Sequence, residues 1–294
     1  MKIIITGSLG NISKPLTATL AGSGHDVTVV SKSAGRTAAI EELGAKAAIG
    51  SVEDQAFINK TFAGADIVYT MVPGNFGVAD YRKYESGIGE VYAEGIRNAG
   101  IKKVVNLSSI GAELPSGTGP IAGLHDVENI LNKLDGVDVK HLRAGFFYTN
   151  YYNDIPMIKN NKIIGSNYSA GSRLVLVHPN DIADAVAEEI QGNFSGKSVR
   201  YIVSDERVIS EIVAVLGAAI GQPNLPWVKF TDEQSLEGMK SAGFPPQIAA
   251  TYAEMGAAID KGILVKYYME NKLKPTSKTK LETFAKEFAS AYNK

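Results

Sequence analysis

Cysteine is absent from all 294 residues. That excludes disulfide staples, thiolate nucleophiles and thiolate-bound metals, and it fits a reducing compartment, so the cytoplasm is the expected location. Net charge is nearly absent as well: 30 Lys and Arg stand against 31 Asp and Glu. Neither a nucleic acid nor an anionic membrane surface finds an electrostatic hold on such a chain. No apolar run approaches membrane-spanning length. Repeats and low-complexity tracts are also missing. The four histidines, His25, His125, His141 and His178, show no metal-ligand spacing, and no metal is expected. What remains is 45 % hydrophobic and 21 % charged, the composition of an ordinary globular protein. The length suits one large α/β domain, with or without a smaller one.

The chain opens MKIIITGSLGNISKPL. A short apolar run, too short for a signal-peptide core, leads into Gly7-Ser8-Leu9-Gly10. From Asn11 the apolar spacing turns helical through Ile12, Leu16 and Leu20. Strand, glycine turn and helix together set free backbone N–H groups and a helix N-terminus against a diphosphate. The spacing is G-x-x-G-x-x-S, with Ser13 where a third glycine usually stands. Serine is small enough for close helix–strand packing, so binding is expected to survive. The expected pyrophosphate turn is Gly7, Ser8, Leu9, Gly10, Asn11 and Ile12.

Strand-like runs follow at 2–6, 26–31, 46–50, 66–72, 103–108, 137–143 and 198–203. They alternate with helical patterns at 11–21, 37–43, 55–62, 81–99, 125–134 and 181–190, the last with Asn180 and Asp181 as its cap. Alternation of this kind predicts a Rossmann-type, doubly wound parallel sheet. Beyond residue 143 the rhythm breaks into an aromatic stretch, a Gly/Asn/Ser-rich loop, a short strand at 175–177 and a mostly helical remainder. The expected division is a dinucleotide-binding domain of 1–145 with 175–203, and a smaller lobe of 146–174 with 204–294.

An NAD site carries Asp or Glu at the end of the second strand. Here that strand ends in Ser31-Lys32-Ser33, with Arg36 beyond, so the residues favour the 2′-phosphate of NADP(H) over NAD(H). The other reading of Lys32 and Arg36 is plain surface charge. Ser51 and Val52, after the third strand, suit contact with the adenine. Met71, Val72 and Pro73, after the fourth, pass beside the ribose and diphosphate, and Ser108 and Ser109, after the fifth, lie near the nicotinamide ribose. Phe146 is placed against the nicotinamide. Phe147, Tyr148, Asn150 and Tyr168 are candidates for a pocket that stacks a flat aromatic substrate.

These pieces resemble the NmrA-like family of atypical short-chain dehydrogenase/reductases. The resemblance rests on Thr6-Gly7-Ser8-Leu9-Gly10-Asn11-Ile12 and Val104-Val105-Asn106-Leu107-Ser108-Ser109. It rests further on the R-x-G-x-F-x-x-N run from Arg143 to Asn150, on Val177-His178-Pro179-Asn180-Asp181-Ile182-Ala183, and on Gly196 to Tyr201. It covers most of 1–220. It implies a Rossmann-type NAD(P) site, with relatives that are NADPH-dependent quinone or dye reductases, or redox-sensing regulators with little catalysis. One departure matters: no Tyr-x-x-x-Lys pair follows the fifth strand, and the only such spacing is Tyr268 with Lys272 near the carboxyl end. That argues against ordinary alcohol–ketone or sugar-epimerase chemistry. His125, expected at the start of a helix, is the candidate substitute acid, against the reading that it satisfies a helix end. The expected activity is therefore hydride transfer from NADPH to a quinone or similar electrophile. The alternative is an NADP(H) sensor acting through a protein partner.

Overall fold

A strand covered on both faces has no polar side, and Ile3, Ile4 and Ile5 are all fully buried. Ile3 and Ile5 point into one hydrophobic layer and Ile4 into the other. The protein was analysed as a computed structural model that describes residues 1–294. Its first six strands are β1 (Lys2–Ile5), β2 (Asp26–Ser31), β3 (Lys46–Ile49), β4 (Ile67–Thr70), β5 (Lys103–Ser109) and β6 (Asp138–Ala144). Then come β7 (Phe146–Phe147), β8 (Ile164–Ser166), β9 (Arg173–Val177), β10 (Lys197–Ile202), β11 (Asp205–Val208) and β12 (Trp227–Lys229). Seven of them form one sheet in the order β3-β2-β1-β4-β5-β6-β10, every pair parallel.

The helices α1 (Ser13–Gly22), α2 (Thr37–Glu41), α3 (Gln55–Phe62), α4 (Tyr81–Ala99), α5 (Ile121–Asn132) and α7 (Pro179–Gln191) fill the crossovers, whereas α6 (Ile155–Asn161), between β7 and β8, buries Ile158 in the smaller lobe's core. Leu16 and Leu20 of α1 pack with Ile182, Val186 and Ile190 of α7 on one face of the sheet. Phe62 of α3, Ile88 and Tyr92 of α4, and Val127 and Leu131 of α5 cover the other. The strand order reverses between β1 and β4, and the crevice beyond their carboxyl ends is where such sheets hold ligands. No helix is long and apolar enough to cross a membrane.

The remaining elements form the smaller lobe: the sheet β11-β9-β7, the β8–β12 pair, and α8 (Ile209–Ala219), α9 (Asp232–Ser241), α10 (Pro246–Asp260), α11 (Lys266–Glu270) and α12 (Leu281–Tyr292). Three expectations change here. Residues 175–177, assigned to the large domain, lie in β9 and pair with β7 and β11 rather than with the large sheet. Leu174 and Leu176 face the small lobe's core while Val177 faces the large one, so this strand belongs to the seam. Next, α5 begins at Ile121, not at 125. Its N-cap position is Pro120, which offers no capping side chain to read. Finally, α7 is capped by His178, whose Nδ1 accepts the Asn180 N–H at 3.1 Å. Asp181 is instead buried, accepting from Ser204 Oγ (2.6 Å), Thr279 N (3.0 Å) and Thr279 Oγ1 (2.9 Å), and so ties the carboxyl-terminal segment to the large domain.

Candidate functional site

Gly7 stands at φ +97°, and a Cβ there would lie 2.8 Å from Ser13 Oγ and 2.9 Å from Met71 Cγ. Only glycine fits that conformation and that space. Ser13 is buried and donates to the Thr6 carbonyl at 3.1 Å, so the serine in the third glycine position links helix to strand as well as packing there. Helix α1 starts without a side-chain cap, and the N–H groups of Leu9, Asn11 and Ile12 have no acceptor in the protein. These unclaimed donors at a positive helix end fit the diphosphate of a dinucleotide.

The turn is fastened to the end of β2, where Ser8 Oγ donates to Ser31 Oγ at 2.9 Å. Beyond it, Lys32 Nζ lies 2.5 Å from Glu53 Oε1, both side chains about half exposed. Arg36 ends the exposed turn Ala34–Arg36 and makes no ion pair. Ser51 Oγ accepts the Glu53 N–H at 3.1 Å within the loop after β3, and the pair of Glu53 with Lys32 sets that loop against the one after β2. Val52 is buried, its side chain in the core, so only its backbone faces the rim.

At the end of β4, the Met71 N–H donates to Thr6 Oγ1 at 2.9 Å. From α4, the Tyr92 hydroxyl donates to the Met71 carbonyl (2.8 Å) and the Tyr84 hydroxyl to the Pro73 carbonyl (2.9 Å). At the end of β5, Ser108 Oγ donates to Glu128 Oε1 at 2.5 Å. Arg143 of β6 grips the same carboxylate through Nε (3.0 Å) and Nη2 (2.7 Å), and reaches Glu113 (2.9 Å) and Tyr201 (3.0 Å) through Nη1. Burial is the largest single influence on Glu128 and works to raise it, but the hydrogen bonds and charge of Arg143, with the Ser108 hydrogen bond and the charge of His141, together hold the carboxyl below its usual range. This ion cluster is a rigid floor beneath Ser108.

Over the carboxyl ends of these strands opens a cavity of about 300 Å³ with a largely apolar wall. Met71, Val72, Ser108, Ser109 and Phe146 line it, as do Phe147 and Asn150 of the expected substrate pocket. The small lobe contributes Tyr252 and Ile259 of α10. Two further wall residues, Tyr81 and Glu85 of α4, are not among those singled out from the sequence. The signal for Glu85 is legible in hindsight. It interrupts an apolar helical stripe, Tyr81, Glu85, Ile88 and Tyr92, spaced by four, three and four.

Three expected site residues lie elsewhere. His125 is inside α5, where Nδ1 donates to the Ala112 carbonyl at 2.8 Å and Nε2 accepts from Asn129 Nδ2 at 2.8 Å. Both nitrogens are occupied, one by the loop at Ala112 and one by Asn129 of the same helix, and the ring is not in the cavity wall. Tyr148 is fully buried, stacked on Phe284 with centroids 5.1 Å apart. Tyr168 packs on Trp227, centroids 5.2 Å apart, in the small lobe's core. Both rings satisfy the core of the lobe that their chain segment builds. Tyr268 is likewise fully buried, so its spacing with Lys272 is no catalytic pair.

Residues 7–142 match the family model described as NAD(P)H-binding. No curated protein sequence matches the chain. Among solved structures, the chain is similar to an NADPH-dependent quinone oxidoreductase of Escherichia coli, complexed with NADPH: TM-score 0.80, 18 % identity, 97 % of this chain and 99 % of that one covered. It is similar to the Citrobacter sp. triphenylmethane reductase complexed with NADP(H), at TM-score 0.78, 17 % identity and coverages of 98 % and 100 %. A nucleoside-diphosphate-sugar epimerase of Staphylococcus aureus gives TM-score 0.78, 17 % identity and coverages of 97 % and 100 %. Such identities speak for the fold alone. Residues 7–142 thus match an NAD(P)H-binding domain, and over nearly its whole length the chain shares the fold of these reductases and this epimerase.

Proposed function

We propose that the protein is an NADPH-dependent reductase of quinones or similar flat conjugated electrophiles. The observation that carries this reading is the apolar cavity over β4, β5 and β6, placed directly beside the uncapped glycine turn. In this reading the amides after Gly7 hold the diphosphate, and Ser51 with the Val52 backbone borders the adenine. Met71, Val72 and Pro73 flank the sugar, and Ser108, Ser109 and Phe146 face the nicotinamide. Phe147 and Asn150 are left to the substrate. A bound reduced nicotinamide supplies the hydride, and the chain supplies orientation and a dry wall.

Lys32 and Arg36 are the groups that distinguish NADPH from NADH. Arg36 is free, and the exposed pair of Lys32 with Glu53 is weak enough to yield to a phosphate. Titration calorimetry with both nucleotides tests this. Arg36→Ala should weaken NADPH by roughly tenfold, on the order of 1.4 kcal/mol, and leave NADH unchanged. Equal losses for both nucleotides would remove the 2′-phosphate assignment. Steady NADPH oxidation across a quinone panel is the expected result. Tight binding without turnover would instead identify a cofactor-responsive sensor.

A further inference from the structure

We propose that Glu85 acts as a neutral carboxylic acid in the cavity wall and gives its proton to the substrate oxygen during reduction. This rests on the reductase reading above and supplies the acid that the missing Tyr-x-x-x-Lys pair leaves open.

Glu85 is 4 % exposed, yet it lines the cavity. Its buried Oε2 has no hydrogen-bond partner, and no cation pairs with the carboxyl. Of the ionisable groups around it, only Asp126 brings a charge that opposes ionisation of Glu85. Tyr81 and Tyr84 come from its own helix and Tyr252 from α10. Asp126 comes from α5, its charge already taken by Arg82 at 2.6 and 2.8 Å. Burial first, and Asp126 second, push the Glu85 carboxyl up to about 9. It therefore enters the reaction carrying a proton.

The position is built, not incidental. Helices α4 and α5 pack where α5 has a glycine: a Cβ on Gly123 would lie 2.0 Å from Glu85 Oε2 and 2.8 Å from Glu85 Cβ. The missing side chain is the slot that receives the acid. An acid kept neutral by an apolar wall is a hydrogen-bond donor poised for a developing oxyanion.

The step balances as follows. Hydride from the reduced nicotinamide forms a C–H bond on the conjugated acceptor, and the π pair moves onto the carbonyl oxygen. The O–H bond of Glu85 breaks as an O–H bond forms on that oxygen. The carboxylate left behind recovers its proton from water after product leaves. The substrate class this acid serves is an uncharged, carbonyl-bearing electrophile. A cationic triphenylmethane dye takes hydride at carbon and has no oxygen to protonate, so it has no use for the Glu85 proton.

The test uses Glu85→Gln and Gly123→Ala, the second to push the carboxyl out of its slot. Wild-type kcat on a conjugated ketone should fall as the pH rises through about 9. Glu85→Gln should lower that kcat by roughly 100-fold, flatten its pH profile, and leave NADPH affinity by calorimetry unchanged. Gly123→Ala should move kcat in the same direction. Infrared spectroscopy of the nucleotide-free protein at neutral pH should show a protonated carboxyl band that disappears in Glu85→Gln. A wild-type kcat and pH profile in Glu85→Gln, or no such band, overturns the role of Glu85 while the reductase reading stands. No NADPH binding by the wild type overturns the reductase reading itself.

Discussion

Replacing Glu85 by glutamine should make the folded chain more stable, by an amount that grows with pH. An ordinary glutamate titrates near 4.5, whereas burial holds Glu85 protonated up to about 9. Between those values the folded state keeps a proton that the unfolded state has released. Stability therefore falls as pH rises across this window, by about 1.4 kcal/mol per pH unit once the unfolded side chain is fully ionised. From 4.5 to 7 this accumulates to roughly 3 kcal/mol. Glutamine has nearly the same shape, cannot ionise, and leaves a similar unpaired polar group in the same slot. The variant should thus match the wild type near pH 4.5 and lead it by roughly 3 kcal/mol at pH 7. Urea titrations at a series of pH values give the comparison directly, because every other titrating group is common to both chains. Parallel stability curves from pH 4.5 to 8 would show that Glu85 is ionised in the folded protein. The electrostatic argument for it would then be refuted.

The other consequences concern the turn, the ion cluster and the histidine. Gly7→Ala forces a left-handed φ on alanine and sets its methyl against Ser13 and Met71. It should cost about 1–3 kcal/mol by denaturant titration and abolish nucleotide binding by calorimetry. Arg143→Ala strips the buried Glu128 of its cation and should cost about 3–5 kcal/mol. Because Glu128 is held below its usual range, the ion pair's contribution is present above about pH 4.5 and fades as pH falls through the lower folded value. Acid unfolding of wild type should show that loss, and of the variant should not. His125→Ala should lower stability by roughly 1–2 kcal/mol through its two lost hydrogen bonds and leave kcat unchanged. A large fall in kcat would return the histidine to the reaction.

Much of the cavity's rim was legible because its parts are local. A glycine turn between a strand and a helix is read within a dozen residues, and the rims 71–73 and 108–109 follow from counting strands. Phe147 and Asn150 also line the cavity, yet Tyr148 between them turns into the small lobe's core. Side-chain direction there is set by a short strand giving way to a tight turn, Tyr148–Asp154, whose phase the residue types do not reveal. His125 looked like a polar residue at a helix start because the true start, at Pro120 and Ile121, carries no cap signature. Glu85 was visible as a charge on an apolar stripe, but nothing local says whether such a charge meets water, a cation or a cavity.

The sequence by itself determined the parallel sheet, the dinucleotide turn and the absence of the usual tyrosine–lysine acid. Hydrophobic period, glycine placement and residue identity are properties of neighbouring residues, and no distant contact revises them. Only the tertiary structure decided which aromatic rings reach the cavity, that His125 is spent on a loop and on Asn129, and that a glycine on α5 makes room for a buried acid on α4. Those outcomes depend on atoms dozens of residues apart competing for the same space and the same hydrogen bonds.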